Sequence, residues 1–289
     1  MAGDAVSPRD ALDAVGQLPD VEIDIAGTAL QFARIDQPGA DWRAAQTHLS
    51  TLAREVVDLT REFNFAGLPA RIAGLSGILA ARHDYRGDTD TYDDPANANL
   101  IRVIERRRGL PVALGIIWLH CARAAGWGAH GVDFPGHFLI ALEAQSTTRR
   151  HRQATSAQVV IDVFAGGVPL GSDDMRNLLK HVAGPSVEMT PGVLQPMSAR
   201  RVLLRLQENV RVRRLRFDDN EGALACTQDM LRIAPDNTHL WREAALMNER
   251  LDHVIPAIEC HRRFLDLVPS GEAATRARAA IDRLRARLH

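Results

Sequence analysis

The carboxyl-terminal third of the chain repeats at a fixed interval, and this constrains the fold more than any other feature of the sequence. A shift of 34 residues superposes similar or identical residues at five positions. The superposed pairs are Ala223 with Ala257, Leu224 with Ile258, Cys226 with Cys260, Leu231 with Leu265, and Pro235 with Pro269. This interval is typical of a helix–turn–helix unit with small residues at the helix crossing. The sequence therefore predicts an all-α region of stacked helix pairs over residues 196–289.

The same region carries part of the tetratricopeptide-repeat pattern. Trp241 occupies the tryptophan position of the second repeat, whereas Asn248 and His261 stand where a tyrosine and an aromatic residue are usual. The first repeat is weaker, with Gln207 at its tryptophan position. Because two repeats are too few to be stable alone, we expect the array to dock onto the front domain or onto a partner.

The repeat register also predicts which side chains face a partner. In such arrays the first helix of each pair lines the inner groove, which places Arg205, Glu208, His239, Arg242 and Leu246 on that face. These side chains are candidates for clamping a peptide terminus or a helix of a partner protein. The alternative is that they are simply solvated surface residues.

Overall charge argues against nucleic acid as a partner. The 289 residues include 35 Lys and Arg against 36 Asp and Glu, a net charge of -1, so the chain lacks a large positive field. We find no helix-turn-helix pattern with a basic recognition helix, which argues against a transcription factor. The longest apolar stretch, Leu110–Leu119, is too short to span a membrane, and the amino terminus does not resemble a secretory signal.

The spacing of the cysteines favours a reducing compartment, and the spacing of the cysteines and histidines argues against a metal site. Cys121, Cys226 and Cys260 form no CxxC pair, which argues against both a disulfide scaffold and a zinc site. The histidines show no metal-ligand spacing either. We therefore expect a cytoplasmic protein with no metal and no cofactor.

Hydrophobic patterning divides the front of the chain into a flexible leader over residues 1–24 and a folded domain over residues 25–195. The domain begins with several helices and includes a strongly apolar helix from Pro111 to Ala125, ended by Gly126. Two apolar runs, Phe138–Leu142 and Val159–Phe164, predict an antiparallel strand pair. Their polar connection contains the basic run at residues 149–152, read as a solvated hairpin tip.

An apolar helix, a strand that opens with His137 and a later strand with Asp162 follow the order of a cysteine-protease or transglutaminase triad. Such a triad needs a cysteine at the start of the helix, where Pro111 stands instead. Cys121 lies about 15 Å along the same helix, so it cannot replace that nucleophile. His137 is then either a half-buried structural residue paired with Asp162 or a base without a covalent nucleophile.

These motifs resemble the bacterial SirB family, in which a transglutaminase-like core precedes tetratricopeptide repeats. The resemblance covers residues 25–288 and rests on the strings RGLP at 108–111, PGHFL at 135–139 and VIDVFAGG at 160–167. It implies an α+β fold, mostly helical, with a papain-like cysteine-proteinase type of core and a small antiparallel sheet. It also implies that His137 and Asp162 occupy the histidine and aspartate positions of the triad, with Pro111 in the nucleophile's place.

Two functional hypotheses follow. The first is a non-catalytic protein-interaction protein, a pseudoenzyme whose degenerate transglutaminase-like core is fused to helices that bind a protein or peptide. The alternative is a hydrolase or transferase of the same class that uses the His137/Asp162 dyad without a cysteine nucleophile. Neither hypothesis involves a membrane or nucleic acid.

Overall fold

The computed structural model describes residues 6–63, 65, 67–144, 157–184, 187–188 and 194–288. Its internal contacts divide the chain into two units. Residues Pro19–Leu206 form one unit, here called the core unit, and Met1–Leu18 with Gln207–His289 form the other, called the repeat unit. The basic run at residues 149–152 lies outside the described residues.

Helices make up most of both units. In chain order they are α1 (Pro8–Gly16), α2 (Ile25–Asp36), α3 (Trp42–Glu62), α4 (Leu68–Ser76), α5 (Leu100–Arg106), α6 (Pro111–Ala124), α7 (Ser172–Ala183), α8 (Ala199–Arg216), α9 (Asn220–Ile233), α10 (Thr238–Arg250), α11 (Val254–Leu267) and α12 (Glu272–Arg285). The strands are β1 (Arg86–Gly87), β2 (Arg108–Gly109), β3 (Ala129–Phe134), β4 (His137–Glu143), β5 (Gln158–Asp162), β6 (Val168–Leu170) and β7 (Pro196–Met197). The predicted α+β class, mostly helical with a small antiparallel sheet, is confirmed.

Helix α6 is the centre of the core unit because it is apolar on every side. Its residues from Pro111 to Leu119 are all buried, and the helix packs against α2, α3 and β4. Gly115 permits a close approach to β4, since a Cβ there would lie 2.3 Å from the Phe138 ring. Pro111 begins the helix as the sequence predicts, and Gly126 follows it at φ +71°.

A five-stranded antiparallel sheet with the order β6-β5-β4-β3-β7 packs against α6. The predicted pairing of β4 with β5 is present, with Ile140 opposite Ile161. Strand β3, which the sequence analysis missed, forms a hairpin with β4 through Pro135 and Gly136. Gly136 adopts φ +68° in that turn, and the turn places His137 at the first position of β4.

The repeat unit contains the predicted helix pairs. Helices α9 and α11 begin and end at equivalent points of the 34-residue interval, and Ala223 and Ala257 are both fully buried at the helix crossings. Contacts run from α9 to α10, from α10 to α11 and from α11 to α12. Helix α12 therefore extends the array by one helix beyond the two predicted repeats.

The prediction of a flexible leader over residues 1–24 is wrong for residues 8–16, which form α1. Ser7 caps this helix by accepting the Asp10 N–H, and Leu12 is fully buried. Helix α1 packs on α9, where Arg9 Nε lies 2.9 Å from Asp229 Oδ1. The partners of α1 lie about 220 residues away in the sequence, so no local pattern identifies them.

Candidate functional site

His137 and Asp162 meet, as predicted, at the end of the sheet. His137 Nε2 donates to Asp162 Oδ1 over 3.2 Å, and the two side chains are 12% and 13% exposed. This hydrogen bond leaves Nδ1 as the ring nitrogen that could take up a proton in a neutral imidazole. The pair has the orientation of a base held by a carboxylate, the second half of a catalytic triad.

The backbone that follows Asp162 also fixes this residue. Its Oδ1 accepts the Phe164 N–H over 2.9 Å, and its carbonyl accepts the Gly167 N–H over 2.8 Å. The strand ends at Asp162, two residues before the predicted end, because the Asp162 side chain bonds the turn. Gly166 and Gly167 complete the turn at positive φ.

The start of α6, where the sequence analysis expects a nucleophile in an active relative, offers none. Pro111 is buried, and as a proline it offers neither a nucleophilic side chain nor an N–H for an oxyanion. The preceding N–H, that of Leu110, is already donated to the Asn97 carbonyl over 2.9 Å. Among the described residues, no Ser, Thr or Cys side chain hydrogen-bonds to His137.

The three cysteines do not supply the missing nucleophile. All are free and buried, and burial raises the pKa of the Cys121 thiol to about 12. Burial also raises the pKa of Cys226 to about 12 and that of Cys260 to about 11. The thiols therefore stay protonated near neutral pH, which fits their role as small core residues.

An open groove of about 790 Å³ lies beside the dyad. Phe164 forms part of its wall and contacts the His137 ring edge-on, with the ring centroids 6.1 Å apart. The rest of the wall, as described, is Ser76, Gly77, Ala80, Ala81, Asp84, Tyr85, Arg86, Gly87, Thr89, Ala165 and Gly166. His137, Asp162 and Pro111 are not among these residues, so the groove does not open onto the dyad.

Three arginines at the end of α5, residues 106–108, connect the motif RGLP to neighbouring residues by ion pairs and hydrogen bonds. Arg106 pairs with Asp88 over 2.9 Å, and Arg108 pairs with Asp84 over 3.1 Å. Arg107 Nη1 donates to His48 Nε2 over 2.7 Å and also contacts Tyr85 Oη. Positive charge is favourable at the carboxyl end of a helix, and these pairings also give each arginine a specific structural partner.

His48 makes the core unit sensitive to acid. Burial, then the charges of Arg107 and His83, lower the pKa of His48 from 6.5 to about 4, while Glu55 opposes them. The imidazole therefore takes up a proton at higher pH in the unfolded chain than in the folded chain. The contribution of neutral His48 to the free energy of unfolding is complete above pH 6.5 and is lost as the pH falls toward 4.

We expect His48→Gln, which keeps an acceptor for Arg107 without titrating, to flatten this dependence. Between pH 7 and pH 5 the wild type should lose about 1 kcal/mol more of its free energy of unfolding than the variant, allowing for solvent screening. Urea unfolding at the two pH values measures the difference. Equal losses in the two proteins would contradict the assignment.

Of the five predicted partner-facing residues, Arg242 and Leu246 line a cavity in the repeat unit, and the other three do not line that cavity. Arg205 is engaged within the core unit, where it pairs with Asp133 and its Nη2 donates to the His137 carbonyl over 2.8 Å, so its assignment to a partner surface is corrected. In the repeat unit, Glu208 accepts from Arg211 over 2.7 Å. His239 is exposed, with Nε2 3.7 Å from Glu243 Oε1.

Arg242 and Leu246 instead line a cavity of about 360 Å³ in the repeat unit. The other lining residues are Glu249, His261, Phe264, Ala273, Arg276, Ala277, Ala280 and Arg283. The residues of α12 were missed because the repeat was followed for two units only. Extending the 34-residue interval once more places Arg276 at the position of Arg242, which would have extended the groove.

The described part of the chain contains neither a metal-binding cluster nor a membrane-spanning helix. No group of three or more His, Cys, Asp or Glu side chains there could hold a metal ion. No helix in the same residues is long and apolar enough to cross a membrane.

Comparison with known proteins identifies both parts of the chain. The model of the transglutaminase-like superfamily matches residues 43–208, and a tetratricopeptide-repeat model matches residues 211–282. A UPF0162 protein of Xylella fastidiosa is 29% identical over 254 residues, covering 87% of this chain and 86% of that protein. A UPF0162 protein of Vibrio cholerae is 24% identical over 215 residues, covering 74% and 76%.

A crystal structure of menin is also similar, over 90% of this chain and 70% of that chain. Its TM-score of 0.41 and identity of 9% are too low to support any argument about function. The named bacterial relatives carry the UPF0162 name rather than the SirB name, so they support the domain architecture and not that label. The chain belongs to the transglutaminase-like superfamily, and tetratricopeptide repeats follow its transglutaminase-like domain.

Proposed function

We propose that this protein binds a protein or peptide partner through its tetratricopeptide helices and that its transglutaminase-like core is catalytically inactive. The observation that carries the first half is the cavity lined by Arg242 and Leu246, because the Leu246 side chain in its wall is 46% exposed. An exposed apolar side chain beside a cavity is typical of a binding surface.

The inactive core is supported by what surrounds the dyad. A covalent mechanism needs a nucleophile within hydrogen-bond reach of His137, and Pro111 offers none. The dyad-only alternative needs space for water and substrate at His137, yet the neighbouring groove is lined by Phe164 rather than by the dyad. We therefore propose that the pair serves the fold by holding the end of the sheet.

The narrower assignment to the SirB family belongs to the same proposal and rests on the RGLP and PGHFL strings. A cytoplasmic location is proposed as well. It is supported by three free cysteines, which suit a reducing compartment.

We expect Leu246→Asp to weaken partner binding, since it places a charge in the wall of the cavity. The test selects peptides from a random display library on the immobilised full chain and measures the binding of the synthesised peptides. The loss should be at least about tenfold in Kd, equivalent to about 1.4 kcal/mol. Leu267→Asp is the matched control, because Leu267 is a similarly exposed leucine of the repeat unit that does not line the cavity.

Two results would contradict the proposal. One is a set of selected peptides whose binding is unaffected by Leu246→Asp. The other is peptide hydrolysis or glutamine transamidation by the purified chain that disappears in His137→Ala, which would favour the dyad enzyme.

A further inference from the structure

The cavity of the repeat unit has an apolar interior. Leu246 of α10, Phe264 of α11, and Ala277 and Ala280 of α12 contribute carbon surface to its wall. Its volume of about 360 Å³ lies at the low end of the range for ligand pockets. It therefore has room for one or two side chains of a bound segment.

The charged groups around this cavity are unbalanced. The side chains of Arg242 and Arg283 form no ion pair or hydrogen bond with any described residue, although both line the cavity. Arg276 pairs with Glu272. The one lining carboxylate, that of Glu249, accepts from His261 Nε2 over 2.7 Å and is therefore engaged.

Helix α12 strengthens this local excess of positive charge. It carries four arginines against Glu272 and Asp282, which gives it a charge of +2 in a chain whose net charge is -1. Two unpaired guanidinium groups beside an apolar interior favour carboxylates next to an apolar side chain, because arginine recognises carboxylates through paired N–H donors.

We propose that the cavity binds an acidic peptide segment that inserts an apolar side chain between α10, α11 and α12 and pairs its carboxylates with Arg242 and Arg283. This inference rests on the proposed function and specifies the chemistry of the partner. The apolar side chain supplies the buried area, and the two arginines supply selectivity for negative charge.

The probes that test it are three fluorescein-labelled peptides, each with one central leucine flanked by Asp and Glu, by Asn and Gln, or by Lys. We expect the full chain to bind the acidic peptide about tenfold more tightly than the neutral one, as two partly exposed ion pairs allow. Fluorescence anisotropy measures the three affinities. Added salt should reduce the preference.

The double variant Arg242→Glu and Arg283→Glu should remove the preference and favour the Lys peptide. The double variant Arg250→Glu and Arg285→Glu is the matched control, since it makes the same charge change on α10 and α12 outside the cavity. We expect it to keep the preference of the wild type. Circular dichroism verifies that both variants are folded.

The outcomes separate this inference from the proposed function. Equal binding of acidic and neutral peptides, lost in Leu246→Asp, would overturn the acidic preference and leave partner binding supported. An equal loss of preference in both double variants would also overturn it. If neither these three peptides nor those selected from the display library show binding that depends on Leu246, the cavity is not a binding site and both proposals fail.

Discussion

Replacement of Gly167 by alanine is expected to lower the free energy of unfolding of the core unit by about 2–5 kcal/mol. Two physical effects add at this position. Gly167 has φ +88°, a conformation that costs an L-residue about 1–2 kcal/mol. A Cβ there would also lie 2.2 Å from the Trp118 ring and 2.6 Å from Ser76 Oγ, so the buried ring must move, at about 1–3 kcal/mol.

Gly166 is the matched control for this prediction. It lies in the same turn with φ +80°, but a Cβ there would meet only the Ala80 Cβ, at an ordinary 3.4 Å. Gly166→Ala should therefore carry the backbone strain alone, about 1–2 kcal/mol. Urea unfolding followed by tryptophan fluorescence measures both variants. Equal losses of the free energy of unfolding would show that the contact with Trp118 adds no cost at position 167.

The turn matters to the candidate site because it fixes Asp162. Gly167 donates its N–H to the Asp162 carbonyl, and the Asp162 side chain is in turn bonded to His137. A shift of the turn in Gly167→Ala would therefore loosen the dyad as well as the core. If the core is catalytically inactive, Gly167→Ala should change only the free energy of unfolding.

The sequence predicts best those elements whose signal is local. Helix α6 begins with the apolar run from Pro111 to Leu119 and is followed by Gly126, and strand β4 is a short apolar run after a Pro-Gly turn. Hydrophobic pattern and turn residues therefore define both. The His137–Asp162 contact was also predictable, because a carboxylate in an apolar strand requires a partner.

Tertiary contacts decide the rest. The pKa of His48 depends on its burial and on Arg107, which directly follows α5 and lies 59 residues further along the chain, and no spacing rule reports that approach. Arg205 occupies a position that the repeat register assigns to the groove, yet Asp133 and the His137 carbonyl engage it. Helical periodicity gives the face of a residue and not the neighbour that covers that face.

Replacing Leu12 by alanine tests the part of the fold that the sequence analysis missed. Leu12 is fully buried in α1, which packs on α9, so removing its side chain should destabilise the repeat unit by about 2–4 kcal/mol. We expect amides of α9 to exchange faster in hydrogen exchange, whereas those of α6 in the core unit keep their protection.

Val6→Ala is the control for this measurement, because Val6 precedes the helix and is 65% exposed, so its truncation should change stability by less than about 0.5 kcal/mol. Unchanged exchange in α9 of Leu12→Ala would restore the interpretation of residues 1–24 as a loose leader. The expected result gives α1 a defined role instead. Two repeats are too few to be stable alone, and a helix from the other end of the chain, held by Leu12 and by Arg9–Asp229, covers α9.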